Sequence, residues 1–107
     1  MKKTKIKTID VVVKEWFDKT YGNSYFGGNI TINYGMKSSE IIPIPFQYGY
    51  GDHYRHIAFS LLQSNGYIPN NLDMGERGWR YYEQNNIIAR HTKYENCLKR
   101  EVIAFCE

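Results

Sequence analysis

Tyr25-Phe26-Gly27-Gly28-Asn29-Ile30-Thr31-Ile32-Asn33-Tyr34 is the stretch on which the fold turns. Ile30, Ile32 and Tyr34 alternate with Asn29, Thr31 and Asn33, so an extended chain has one buried and one polar face. The Gly27-Gly28 pair interrupts the pattern and predicts a bulge or a close approach by another group. The same period extends to both sides. Upstream, Ile6, Ile9, Val11, Val13 and Phe17 outline a long strand, with the β-branched run Val11-Val12-Val13 at its centre. Tyr21-Gly22-Asn23-Ser24 reads as the turn between the two. Downstream, after a turn over Gly35 to Ser39, Ile42, Ile44, Phe46 and Tyr48 share a face on a third strand. Pro43 and Pro45 cannot donate to a ladder, which puts that strand at a sheet edge.

A helix follows. Asp52 is a favoured N-cap residue. Tyr54, Ile57, Ala58, Leu61 and Leu62 form an apolar stripe, while His53, Arg55, His56, Ser60 and Gln63 face elsewhere. Gly66 suits a left-handed helix end, and Pro69 blocks continuation. A second helix is expected from a cap at Asp73 through Trp79, Tyr82 and Asn86, weakened by Gly75 and Gly78 at about 1 kcal/mol each relative to Ala. Ile87 to Tyr94 and Leu98 to Cys106 are then expected as a hairpin turning at Glu95-Asn96-Cys97. The predicted fold class is α+β: about five antiparallel strands packed against two helices, in the order β-β-β-α-α-β-β.

Composition bounds the function. The 107 residues suit a single domain, spanning residues 1–107, and a chain of this size buries roughly 65% of its unfolded surface. Mean hydropathy is −0.58, and no apolar run approaches membrane-spanning length. Met1-Lys2-Lys3-Thr4-Lys5 is basic, but no apolar stretch follows it, so a secretory leader is not expected. Fourteen Lys and Arg against eleven Asp and Glu is too even a balance for a protein gripping duplex nucleic acid. A small anion, which needs only two or three cations, fits better. Cys97 and Cys106 form no CxxC pair and no zinc pattern, and read as reduced thiols of a cytosolic protein. Ten of the seventeen aromatic residues are tyrosines.

Several clusters can carry chemistry, each with a plainer reading beside it. Gln47-Tyr48-Gly49-Tyr50-Gly51-Asp52 leads from strand to helix without the GK[ST] of a Walker loop, and a tight turn is favoured over a phosphate cradle. His53 and His56 are spaced to share a metal but lack a third ligand; a solvated helix face is the plainer reading, with Arg55 free to meet an anion or a neighbouring subunit. Tyr25-Phe26 beside Gly27-Gly28 suits stacking on a base or ordinary sheet packing. Trp79-Arg80-Tyr81-Tyr82 cannot all face one core, because helical neighbours diverge by about 100°. Arg100 can clamp a phosphate and Glu101 can accept from ribose hydroxyls; an exposed ion-paired strand end is the plainer reading. No nucleophile motif, close carboxylate pair or HExxH supports an enzyme, and no metal or cofactor is expected. The one enzymatic reading is a phosphodiesterase-like site built on His56 or His91 with a carboxylate.

Taken together, Glu15-Trp16-Phe17-Asp18-Lys19, Gly22-Asn23-Ser24-Tyr25-Phe26, Pro45 to Asp52 and Asn96 to Phe105 resemble small phage and prophage proteins of the anti-Thoeris sponge family. The similarity spans nearly the whole chain. It implies a phage protein acting in the host bacterial cytoplasm. It implies a homo-oligomer, a dimer or larger, that binds without cleaving a cyclic ADP-ribose isomer made by a TIR-domain enzyme. Relatives are also implied to trap cyclic oligonucleotides, such as those of CBASS defence, at a second site. The family's Arg-acidic pair near the C-terminus matches Arg100-Glu101, where Asp is the more frequent second residue. Phe26-Gly27 stands where the best-known members have a polar or basic side chain, so stacking replaces a phosphate contact there. Arg55 matches a cation of the oligomer-level site. Tyr25, Phe26, Arg55, Trp79, Arg100 and Glu101 are therefore the expected ligand-binding residues. The alternative from another class is a protein–protein inhibitor of a bacterial defence complex, comparable to an anti-CRISPR protein, with the tyrosines as its interface.

Overall fold

Ile9, Val11 and Val13 are wholly buried, and Asp10 and Val12 between them are not; that alternation marks the central strand of the sheet. The computed structural model describes residues 6–69 and 75–106, with the backbone alone for 75–79. The expected cap Asp73 lies outside these residues, and so does the side chain of Trp79. The described elements are β1 (Thr8–Asp18), β2 (Asn23–Ile32), β3 (Glu40–Tyr48), α1 (His53–Ser64), α2 (Gly75–Gln84), β4 (Ile88–Tyr94) and α3 (Lys99–Phe105).

The fold is α+β, with a four-stranded mixed sheet in the order β3-β2-β1-β4. β1, β2 and β3 form an antiparallel meander with β3 at an edge, the position its two prolines predict. The last third of the chain differs from the sequence reading in two ways. β4 pairs parallel to β1, so it is not half of a hairpin. Leu98 to Cys106 is not a strand: Lys99–Phe105 is helical. Leu98, Val102 and Cys106 recur every four residues, and Val102 and Cys106 are buried where the helix meets the sheet. Asn96, at φ 60°, turns the chain into this helix instead of back along β4.

The two sheet faces carry different layers. Ile9, Val11, Val13, Phe26, Ile30, Ile32 and Ile44 point to one face, where α1 contributes Tyr54, Ala58, Phe59 and Leu62 and α2 contributes Tyr82. Each fully buried Val, Ile, Leu or Phe among them stabilises by about 1.5–3 kcal/mol. Gly66, at φ 85°, ends α1 in the expected left-handed conformation. α3 lies across the opposite face, over β1, β2 and β3. There the Asn29 amide donates to the Phe105 carbonyl at 3.0 Å, and the Lys14 ammonium sits 4.9 Å over the Phe105 ring.

The bulge expected at Gly27-Gly28 is present as a register shift between Phe26 and Gly28. Two β2 steps, Phe26 to Gly28, span three steps of β3, from Gln47 to Ile44. The third strand therefore changes face midway. Ile42 and Ile44 face the core, but Phe46 and Tyr48 turn to the α3 face; the four do not share one side as the alternation predicted. β1 departs in a similar way. Its inward series ends not in Phe17, which is 45% exposed, but in Glu15, which is 9% exposed and pairs with Lys93 at 3.3 Å.

Candidate functional site

The four-residue turn Lys19–Gly22 pairs Asp18 with Asn23, and that register brings Trp16 opposite Tyr25. The β3 bulge then delivers Phe46 to the same side. The three rings form a ladder. Trp16 stacks on Tyr25 with centroids 5.4 Å apart, and Tyr25 stacks on Phe46 at 5.4 Å with planes 5° from parallel. Tyr48 meets Tyr25 edge-on at 5.9 Å, and Tyr50 meets Tyr48 edge-on at 6.4 Å. Such pairs each contribute about 0.5–1.5 kcal/mol beyond burial. The start of α3 reaches this ladder: the Lys99 ammonium lies 5.3 Å over the Trp16 ring.

Of the six expected site residues, three share this side of the sheet. Tyr25 is the middle rung. Arg100 and Glu101 stand exposed in the first turn of α3, not on a strand with opposed side chains. The Glu101 carboxylate reaches back, and Oε1 accepts from the Leu98 N–H at 2.7 Å. Phe26 points the other way, is 2% exposed and belongs to the core. Arg55 sits across the sheet on α1, its guanidinium 3.7 Å from the Asp52 carboxylate and 5.8 Å from the Tyr54 ring. Asp52 occupies the cap position of α1, but its side chain makes no capping bond.

Sequence reasoning passed over Trp16, Phe46 and Lys99. The turn expected at Tyr21–Ser24 would set Tyr25 opposite Thr20; the observed turn starts two residues earlier, at Lys19, and sets Tyr25 opposite Trp16. His91, weighed above as a candidate base with a carboxylate, is half-buried on the α1 side. His91 packs edge-on to Tyr54 at 6.2 Å and 6.4 Å from Tyr82. Burial first, then the Arg55 charge, lowers its pKa to about 4, against a smaller opposing effect of Asp52. Burial, with the neighbouring Tyr81, raises the Tyr82 phenol to about 12. Neither group is ionised at neutral pH.

A hollow of about 500 Å³ opens at the entry to α1, lined by Tyr48, Gly49, Tyr50, Asp52, His53 and His56. On the α3 face, two further hollows of about 400 and 530 Å³ flank Val12 and Thr31. Among the described residues no three His, Cys, Asp or Glu side chains are grouped to hold a metal ion. Cys97 and Cys106 are free thiols. No helix among the described residues is long and apolar enough to cross a membrane. No family model matches the chain, and neither a curated protein nor a solved structure matches it.

Proposed function

We propose that this chain is a phage-encoded anti-defence sponge. It binds a cyclic nucleotide immune signal, a cyclic ADP-ribose isomer of Thoeris defence, and holds it without cleavage as a homo-oligomer in the host cytoplasm. The supporting observation is the stacked ladder Trp16–Tyr25–Phe46 with Lys99 over its end and Arg100 in the same helical turn. A nucleotide presents a π-face and a pyrophosphate. Aromatic rings hold the first at about 1–3 kcal/mol per base, and Arg or Lys pairs with the second. Glu101 keeps one carboxylate oxygen beyond its bond to Leu98 for a ribose hydroxyl.

The test is heat release. Protein purified from cells making the signal is denatured and the supernatant examined by mass spectrometry. Intact cyclic nucleotide, lost in Arg100→Ala and Trp16→Ala variants that remain folded, is the expected result. A hydrolysed product, or no nucleotide and no thermal shift with a cyclic nucleotide panel, overturns the reading. A protein–protein inhibitor is the second reading, favoured by Tyr21, Tyr48, Tyr50 and Tyr94, each more than half exposed. Co-purification of a defence protein, unaffected by added nucleotide, supports it instead.

A further inference from the structure

The hollow at the entry to α1 is built separately from the aromatic ladder and, among the described residues, meets it through Tyr48. One wall is the Tyr48–Tyr50 pair, set edge to face. Another is the His53–His56 pair, whose rings lie 6.5 Å apart and 20° from parallel. Asp52 stands beside them. Gly49 forms the buried back: a Cβ there would fall 2.6 Å from Phe26 Cε1 and 2.7 Å from His53 Cδ2. Its hydrogen is what lets the His53 ring lie edge-on to Phe26 at 6.1 Å. The turn itself is anchored. Lys93 donates to the Gly51 carbonyl at 3.1 Å while paired with Glu15, so that ammonium is committed to the fold.

We propose that this hollow is a nucleoside subsite that takes an uncharged heterocycle with its attached vicinal hydroxyls, and not a phosphate. Three properties lead to that class. The walls are rings, which suit a flat base or the C–H face of a ribose. Among the described residues the lining contains no Lys or Arg. It contains the acceptor-only Asp52 carboxylate, which repels phosphate but accepts from a 2′,3′-diol or an exocyclic amine. Arg55, 3.7 Å from Asp52, lies one side chain away from the lining. The proposal deepens the sequestration reading and rests on it for the natural ligand.

The experiment is a titration of the full chain followed by ¹H–¹⁵N NMR, including the histidine ring nitrogens. The probes are adenosine, 2′,3′-dideoxyadenosine and inorganic pyrophosphate, each to millimolar concentration. Adenosine is expected to move the His53, His56 and Tyr50 signals. The dideoxy compound and the Asp52→Asn variant are each expected to bind about tenfold more weakly, as loss of a charge-assisted hydrogen bond requires. Pyrophosphate is expected to leave those signals in place. Unchanged adenosine affinity in Asp52→Asn, or adenosine shifts confined to Trp16 and Lys99, overturns the subsite. A thermal shift with cyclic ADP-ribose while His53 and His56 stay still overturns the subsite and leaves sequestration standing. Adenosine in the hollow with no thermal shift by any cyclic nucleotide does the reverse.

Discussion

Gly27 lies so close beneath Cys106 that a Cβ on it would fall 2.8 Å from the Cys106 sulfur and 3.2 Å from its Cβ. α3 can therefore settle on the sheet only because residue 27 has no side chain. Gly27→Ala is expected to lift the end of α3 and cost about 1–3 kcal/mol, the usual penalty of overpacking. Adding Cys106→Ala removes the nearer atom and is expected to restore part of the loss. Urea unfolding of the two variants measures both effects, and an unchanged midpoint for Gly27→Ala would show that the contact does not constrain the helix.

Glu101 has a structural task as well as a proposed one. Its carboxylate accepts the Leu98 N–H at 2.7 Å and closes the first turn of a seven-residue helix. Glu101→Ala is expected to cost about 1 kcal/mol and to raise amide exchange across residues 98–102. Glu101→Gln keeps an acceptor oxygen and is expected to lose less. Ligand affinity measured on the two variants separates the helix contribution from a direct contact.

Acid is expected to weaken the fold through His91. Its folded pKa, about 4, lies below the ordinary value of 6.5, so the unfolded chain binds the proton more readily. Stability from this group is full above about pH 6.5, declines as pH falls toward 4, and levels off below that. Partial exposure of the ring limits the loss to about 1–2 kcal/mol. Denaturant midpoints at several pH values test this. His91→Leu should flatten that part of the profile, and an unaltered slope in the variant would assign it to other groups.

Asn33 is wholly buried and has φ 54°. Its Oδ1 accepts from the Lys7 N–H at 2.7 Å and the Thr8 N–H at 3.2 Å, and its Nδ2 donates to Ser38 Oγ at 3.2 Å. It pins the entry of β1 to the exit of β2. Asn33→Ala strands these partners in a left-handed backbone and is expected to cost about 2–4 kcal/mol. Asn33→Gly relieves the backbone but not the partners. A smaller loss in the glycine variant, read by thermal melting, apportions the two effects.

The parts of the fold that could be read from the sequence are those set by local pattern. The α1 stripe, the left-handed Gly66, the edge strand with its two prolines and the bulge at Gly27-Gly28 each rest on residues within a few positions of one another. The last segment was misread because Val102-Ile103-Ala104-Phe105 is too short an apolar run to separate strand from helix by composition. Only the spacing of Leu98, Val102 and Cys106 carried the helical period. The parallel pairing of β4 depends on its meeting the free edge of β1, and nothing inside Ile88–Tyr94 encodes that neighbour. The site follows the same division. Tyr25, Arg100 and Glu101 were visible as residue types, whereas the ladder joining Trp16 to Phe46 exists only once register and bulge are set. Adjacent on the strand, Tyr25 and Phe26 had to part, because successive side chains leave opposite faces.

The parallel pairing of β1 with β4 also has a consequence in time. Asp10 and Arg90, joined across those strands by two hydrogen bonds, lie 80 residues apart. The meander β1–β2–β3 can form as the chain leaves the ribosome, but the far edge of β1 has no partner until Ile88–Tyr94 is made. At about 5–20 residues per second, that interval lasts roughly 4–15 s. Throughout it, the valine-rich strand destined for the centre of the sheet is an open edge, ready to pair with any other extended chain. Slow, late closure of one long-range ladder, more than the strength of any single contact, sets the period in which a nascent copy is most exposed to aggregation.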